Sequence, residues 1–407
     1  MGSVYFSPCA GSGEAKITFN NAFLYDNKKG TTLTGHRRKG TLSRSKKWLV
    51  AATGGTMLTA TSRNITVFYP DGSDESLPAA TSNGVYRLAC IVGNILIVCG
   101  GRDGSGDYRA DTEAWDLNTG TKISPPAITY PRFQGAGTCV GDKGLFKGGE
   151  NWSSSTTGHL EIFTAGLEHG AVDYGSARHL CVAESNDYYY ALWVGGIDKS
   201  STALNRAEMV DINLNYSIIS NTTSKGFGMA AGKFNDKIIV GGGTTAEGTP
   251  YSAVFDVYGS DGTKIGTITL PVKITSPFIV PFGDCLAIGG GVVGSSKTLN
   301  TLVYIIDATL TIVSTAEIFD ESHTDQYTMA GQIGNYTILI DPPVAHTALE
   351  TPTLKLKPIN EFFMLKGMKF KLMRNGIEQS EATVDKNQLY TFSQPMSGYI
   401  TVSDTTI

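Results

Sequence analysis

The chain has 407 residues, 41% of them hydrophobic, enough to bury a large core, and a formal net charge of −4 that argues against a general polyanion binder. No apolar run approaches the roughly 18 residues of a membrane span, and the opening MGSVYFSPCAGSG lacks the basic start and long apolar stretch of a secretory signal. The 48 glycines are the anomaly. They follow no collagen period, and many sit in pairs after β-like runs, so they read as turn chemistry.

The six cysteines are Cys9, Cys90, Cys99, Cys139, Cys181 and Cys285, and none falls in a CxxC or Cys/His ligand spacing. They read as free thiols used as small core hydrophobes. With no signal sequence, this points to the cytoplasm or to a particle assembled there, such as a virion or prophage.

In chain order, 16–26 reads as two short strands, with Asn27-Lys28-Lys29-Gly30 turning into 31–33. A basic run follows: Lys28, Lys29, Arg37, Arg38, Lys39, Arg44, Lys46 and Lys47, with no acid between Asp26 and Asp71. A solvated loop face explains it, and an anionic contact surface is the alternative. Aromatic residues of the kind that stack bases do not interleave with it, which argues against nucleic acid.

From residue 48 a unit recurs. In its clearest copy, apolar 88–92 reaches Gly93-Asn94, apolar 95–99 ends in Gly100-Gly101, and 113–117 after a polar loop reads as a third strand. Asn118-Thr119-Gly120 then turns into a fourth. This is a four-stranded antiparallel meander. Double glycines recur at 54, 100, 148, 195, 241 and 289, at intervals of 46, 48, 47, 46 and 48. An eroded copy at 329–340 has Asp341-Pro342-Pro343 in their place. A fixed period of this length marks units that bury their faces only against one another, and twisted sheets stacked side by side close into a ring.

Gly100-Gly101 with Trp115-Asp116, Gly195-Gly196 with Val210-Asp211, and Gly241-Gly242 with Phe255-Asp256 resemble the kelch repeat, the blade unit of kelch-type β-propellers. The resemblance covers roughly 15–345, and most copies lack the usual late tryptophan. The expected fold is all-β: a seven-bladed kelch-like β-propeller over 1–350 with a small C-terminal β-rich module at 351–407. First halves begin near 48, 86, 134, 178, 227, 278 and 328. The orphan second half at 16–34 is expected to complete the last blade. The alternative is that strands near 353–356 and 362–365 complete it and the N-terminal segment is a cap. The phrase at 389–402 resembles small β-domains of bacteriophage tail and receptor-binding proteins.

Catalytic chemistry is hard to find in the sequence. The six histidines show no i, i+2 or i, i+4 pair, and there is no Walker loop, GxSxG elbow or EF-hand loop. No metal and no cofactor is expected. The loops after the double glycines carry the most varied side chains and should gather on one face of the ring. The candidate binding residues are Arg102, Asp103, Asp107, Tyr108, Arg109, Glu150, Asn151, Trp152, Asp198, Lys199 and Tyr251. Tyr108 and Trp152 offer stacking faces for a sugar or anchors for a protein. Asp116, Asp211, Asp256 and Asp307 recur at third-strand ends and read as turn acids.

The leading expectation is a non-catalytic binding or structural protein presenting a loop face to a protein or glycan, with an association to phage or prophage tails. One alternative is a kelch-like carbohydrate-active enzyme of mutarotase, cyclotransferase or oxidase type, with Glu150, Asp103 or Arg132 near the axis. Another is an intracellular interaction scaffold.

Overall fold

All five residues of the strand Ile95–Cys99 are buried. Leu96 and Val98 pack with Val50, Val67 and Trp115, whereas Ile95, Ile97 and Cys99 pack with Phe146 and Phe163. Successive side chains on a strand point to opposite faces, so an unbroken apolar run belongs to a sheet covered on both. The same layering continues along the chain: Leu145 and Leu160 pack against Trp193, and Ile239 and Phe255 against Leu286 and Tyr304.

In the computed structural model the described residues are 86–317, apart from 104, 151–157, 175–176, 188, 246–249, 251, 284, 295–297 and 301. Outside that stretch they are 15–19, 23–26, 33–34, 41–44, 49–52, 65–70, 73–81, 329–333, 336–340, 350–351, 353–358, 361–364, 369–374, 377–383, 388–391 and 397–402.

The protein is all-β and builds a β-propeller. Six four-stranded antiparallel sheets each come from one unbroken stretch of chain. Blade 1 has the strands Thr41–Arg44, Leu49–Ala52, Ile65–Phe68 and Asp74–Leu77, and blade 2 has Leu88–Val92, Ile95–Cys99, Thr112–Asp116 and Thr121–Ile123. Blade 3 has Ala136–Val140, Lys143–Lys147, His159–Thr164 and His169–Asp173; blade 4 has Val182–Ser185, Tyr190–Val194, Ala207–Asp211 and Tyr216–Ile219. Blade 5 has Phe227–Phe234, Lys237–Thr244, Val254–Tyr258 and Lys264–Thr269; blade 6 has Phe278–Phe282, Cys285–Gly289, Leu302–Ile306 and Ile312–Glu317.

A further four-stranded sheet is composite, in the order Met329–Ile333, Tyr336–Ile340, Thr353–Pro358 and Phe23–Asp26. Successive first strands touch round an axis, and Met329–Ile333 touches Thr41–Arg44 again. Those first strands are therefore the inner ones.

The composite sheet differs from the expected closure by 16–34. Only Phe23–Asp26 comes from the N-terminal segment. Its third strand is Thr353–Pro358, in which Leu354 pairs opposite Leu339. Ala15–Phe19 pairs instead with Ser397–Val402, in a sheet completed by Lys369–Arg374 and Ile377–Thr383. The division expected at 350/351 accordingly falls elsewhere. One compact unit is Tyr25–Lys357, and the other joins Met1–Leu24 to Pro358–Ile407.

The double glycines are the joints between blades. Gly100 has φ +66°, and a Cβ there would lie 2.6 Å from the Arg132 carbonyl oxygen. The next amide, Gly101 N–H, donates to that same oxygen at 2.7 Å. Only a residue without a side chain lets the blade 2 backbone come this close to the start of blade 3. Gly149 donates to Arg178 O at 2.7 Å and Gly196 to Gly226 O at 2.6 Å, repeating the joint. The left-handed pairs in blades 5 and 6 are Gly242-Gly243 and Gly290-Gly291, one residue later than the sequence spacing suggested.

That shift also corrects Asp256. Asp116, Asp211 and Asp307 do accept amides from their own turns, for example Asn118 N–H on Asp116 at 2.9 Å. Asp256 is fully buried and instead accepts Thr223 N–H at 2.6 Å and an ion pair from Lys264 at 2.6 Å.

The residues that meet the glycines are anchored by charge. Arg132 and Glu161 are both fully buried and paired at 2.7 Å, and the same guanidinium donates to Gly148 O and His159 O. Arg178 pairs with buried Glu208 in the next blade, where Lys147 also reaches it at 2.7 Å. In blade 2, burial alone would raise the Glu113 carboxyl. Bonds from Lys122, Arg87 and Thr81 N–H outweigh burial and hold it at about 2.

Two outcomes are expected. Gly100→Ala should destabilise the protein by about 2–4 kcal/mol in urea unfolding, summing left-handed strain and overpacking. Gly170→Ala, where a Cβ meets nothing within 4 Å, should change stability by less than about 0.5 kcal/mol.

The second concerns acid. Glu113 titrates near 2 when folded and near ~4.3 when unfolded, so its stabilisation is present above ~4.3 and is lost as the pH falls towards 2. Urea midpoints measured across that window should fall less steeply in Glu113→Gln than in the native chain.

Candidate functional site

The loop after Gly100-Gly101 is a closed structure of its own. Asp103 Oδ1 accepts Ser105 N–H at 3.0 Å and Asp107 N–H at 2.9 Å, while Oδ2 pairs with Arg109 at 3.3 Å. Burial opposes its ionisation, but these amides and Arg109 hold the Asp103 carboxyl below its ordinary range. Arg109 also pairs with Asp111 at 2.6 Å. Arg102 donates to Gly106 O at 2.7 Å, and its guanidinium lies 5.6 Å from the Tyr108 and Phe133 ring centres.

The corresponding loop of blade 4 repeats the device, with Asp198 Oδ1 accepting Ser200 N–H at 2.8 Å and Thr202 N–H at 2.9 Å. These aspartates organise turns, and both Asp103 oxygens and Asp198 Oδ1 are already committed.

The sequence-predicted residues are thus brought together only in part. Tyr108 sits edge-on to Phe133 with centroids 5.0 Å apart and bonds Glu150, and Phe133 and Glu150 pair through their backbones across the start of blade 3. Burial first, then the Glu150 carboxylate, raises the Tyr108 phenol. Arg102, Tyr108 and Glu150 therefore form one seam between blades 2 and 3. Asp198 and exposed Lys199 belong to the blade 4 loop. Asn151, Trp152 and Tyr251 lie outside the described residues, as does most of the basic run at 28–47. Arg132, considered above for catalysis, is fully buried in the joint between blades.

A second place converges more strongly. A cavity of about 180 Å³ is lined by residues of the first strands of blades 1 to 6 and of Met329–Ile333, among them Ser43, Cys90, Thr138, Glu184, Lys233, Val280 and Gln332. Asp187, in the turn after the blade 4 inner strand, also lines it. Small residues at Ala89, Gly137, Ala183, Ala231 and Gly331 leave room where the strands crowd together.

Polar groups concentrate on blades 4 and 5. Asp187 has φ +74°, its amide donates to Ser185 Oγ at 2.9 Å, and its carbonyl accepts Gly141 N–H at 2.9 Å. This fixed backbone holds the Asp187 carboxylate in an ion pair with Lys233. Glu184 Oε1 accepts Ser185 N–H at 2.9 Å. Opposite in the chain order of the ring, Ser43 is 5% exposed and its hydroxyl has no hydrogen-bond partner. A buried polar atom of this kind is uncommon and calls for an explanation.

The Cys139 thiol on the same wall is pushed up to about 12, by burial first and then by Asp187 and Asp142, and burial also raises Cys90 well above the ordinary thiol value. Neither thiol is ionised near neutrality, so neither supplies a nucleophilic thiolate. Among the described residues no group of three or more His, Cys, Asp or Glu is arranged to hold a metal ion. No helix of the described residues is long and apolar enough to cross a membrane.

Sequence reasoning looked for axial acids and missed Glu184, Asp187, Lys233 and Ser43. The available signal was a carboxylate at Glu184 in an inner strand, where the aligned positions carry Cys90 and Thr138.

The fold defines the class: a β-propeller with additional small β-sheets. A solved structure described as "Structure of YjhT" is similar to it at 13% sequence identity and a TM-score of 0.52, over 70% of this chain and 99% of that chain. That likeness is one of fold. No family model matches the chain, and no curated protein matches it.

The loop geometry gives an expected outcome. Asp103→Ala should free the amides of Ser105 and Asp107 and accelerate their hydrogen exchange by roughly tenfold or more, each lost bond being worth about 1–2 kcal/mol. Exchange at the Asp198 loop should stay unchanged.

Proposed function

We propose that this chain is a ligand-binding propeller whose site is the axial cavity and whose ligand is a small polyhydroxylated molecule of the carbohydrate class. One observation carries the reading: Glu184, the Asp187–Lys233 pair, Gln332 and Ser43 line a single cavity of about 180 Å³. That volume lies below the ~300 Å³ at which pockets for drug-sized ligands begin, so it suits one small ring rather than a polymer. Ile91, Ile279 and Val280 add apolar wall between the polar groups. A sugar matches such a lining with its C–H face and its rim of hydroxyls.

The recurrence near 47 residues and the succession of inner strands support a kelch-type ring of seven blades with a composite closing sheet. The loop face is the weaker candidate, because Asp103, Arg109 and Asp198 already bond within their own loops.

A second reading, catalysis on the sugar as in mutarotases or cyclotransferases, is favoured by two carboxylates, Glu184 and Asp187, lining the same cavity. Such a pair can move protons at a ring oxygen or hydroxyl. For the setting, the phrase at 389–402 supports attachment to a phage or prophage particle through the unit that joins 1–24 to 358–407.

Calorimetric titration of the full chain with neutral monosaccharides tests the site. Ala231→Leu, which fills the cavity, should abolish binding, and Tyr108→Ala should leave it within about twofold. Loss of binding in Tyr108→Ala with retention in Ala231→Leu would move the site to the loop face.

A further inference from the structure

We infer that Lys233 selects the ligand of the axial site by donating hydrogen bonds to two adjacent hydroxyls, so that the ligand is a neutral cyclic sugar presenting a vicinal diol to blade 5. This rests on the reading of the cavity as a carbohydrate site and adds to it the side chain and the ligand groups that meet. Lys233 is the next-to-last residue of the inner strand Phe227–Phe234 and lines the cavity. Its side chain is 17% exposed, and its ammonium donates to Asp187. Asp236, in the turn that follows, feels the same charge but takes its hydrogen bond from Lys237 at 3.1 Å.

An ammonium carries three donors and no acceptor. Among the described residues Asp187 is the hydrogen-bond acceptor that Lys233 has, which leaves two N–H groups to be met from the cavity. Donors on a largely buried cation are costly to leave unmet. Asp187 acts as a positioning residue. Its backbone is fixed at Gly141 and Ser185, so the ammonium it pairs with is held in place before a ligand arrives. A preorganised donor gives up less side-chain freedom on binding than a loose one.

The second observation is on another blade. Gln332 is next to last in the inner strand Met329–Ile333, lines the same cavity and is half-buried. Its amide makes no hydrogen bond among the described residues. Between these two blades, blade 6 presents Val280 and Pro281, whose side chains have no polar atom, and Pro281 is again next to last in its strand. This arc of the wall therefore offers an ammonium, then an apolar strip, then an amide. A sugar ring complements it with two neighbouring hydroxyls on Lys233, C–H groups over Val280 and Pro281, and a further hydroxyl on Gln332.

The test is calorimetric titration of the full chain with glucose and with the series of monodeoxyglucoses, each lacking one ring hydroxyl. Loss of either hydroxyl of one adjacent pair should weaken binding about tenfold or more, as expected for a hydrogen bond to a charged group. In Lys233→Met, glucose should weaken by a similar factor, and the two deoxy sugars of that pair should bind as well as glucose does. Gln332→Leu should weaken glucose several-fold and keep the loss at the adjacent pair. Thermal unfolding of each variant checks that the ring is intact.

A series with no loss at two neighbouring positions, or a loss that survives Lys233→Met, would overturn the assignment of Lys233 and leave the carbohydrate site standing. Absence of binding throughout, glucose included, would overturn both.

Discussion

The structure depends on one repeated contact, a glycine amide of one blade donating to a carbonyl at the start of the next. Gly101 donates to Arg132 O, Gly149 to Arg178 O and Gly196 to Gly226 O, all within 2.6–2.7 Å. The first two acceptors belong to arginines whose side chains are wholly buried in their own blades and neutralised by Glu161 and Glu208. Each of these residues thus accepts a hydrogen bond from the blade behind it and anchors the blade it begins. Removing one member of a buried ion pair strands the other charge, at a cost of about 3–5 kcal/mol. Such a joint holds its spacing stiffly. That spacing sets how closely the inner strands approach the axis, and so sets the cavity between them.

Between the joints, stability is distributed. Each interblade layer is a separate set of apolar contacts: Leu96, Val98 and Trp115 against blade 1, and Ile97 and Phe146 between blades 2 and 3. Trp115 adds a directional bond, donating to Pro78 O at 2.8 Å, and Trp193 does the same to Ala136 O at 3.2 Å. A stack of this kind has no single core. It behaves as a chain of nearest-neighbour interfaces, so the composite sheet that joins its two ends matters more than its own contacts imply.

Much of this architecture was legible because it rests on local chemistry. A continuous apolar run such as Ile95–Cys99 states that both faces are buried, and Gly100-Gly101 states that the backbone there comes close to another chain segment. Where three glycines stand together, at 241–243 and 289–291, spacing alone could not choose the left-handed pair, and the choice fell one residue early. Asp256 was misread for the same reason: the shifted register placed it at a turn when it sits two residues inside a strand. The closing sheet was only half legible, since Phe23–Asp26 and Thr353–Pro358 are both acceptable strands and nothing local says which partner each takes. The site was hardest to see. Glu184 and Lys233 look like ordinary polar positions on their strands, and only closure of the ring sets them round one cavity. The loop residues chosen instead, Asp103 and Asp198, are conspicuous because tight polar loops need them.

The axial cavity is thus a product of the joints, with small residues at Ala89, Gly137, Ala183 and Ala231 keeping it open and blades 4 and 5 supplying its charge. A crystal structure of the full chain soaked with a small polyol tests this account most directly. It predicts ligand density on the axis, with an oxygen within about 3.2 Å of Lys233 Nζ or a Glu184 carboxylate oxygen. Density confined to the Arg102–Tyr108–Glu150 seam, with the axis holding no ligand, would contradict it.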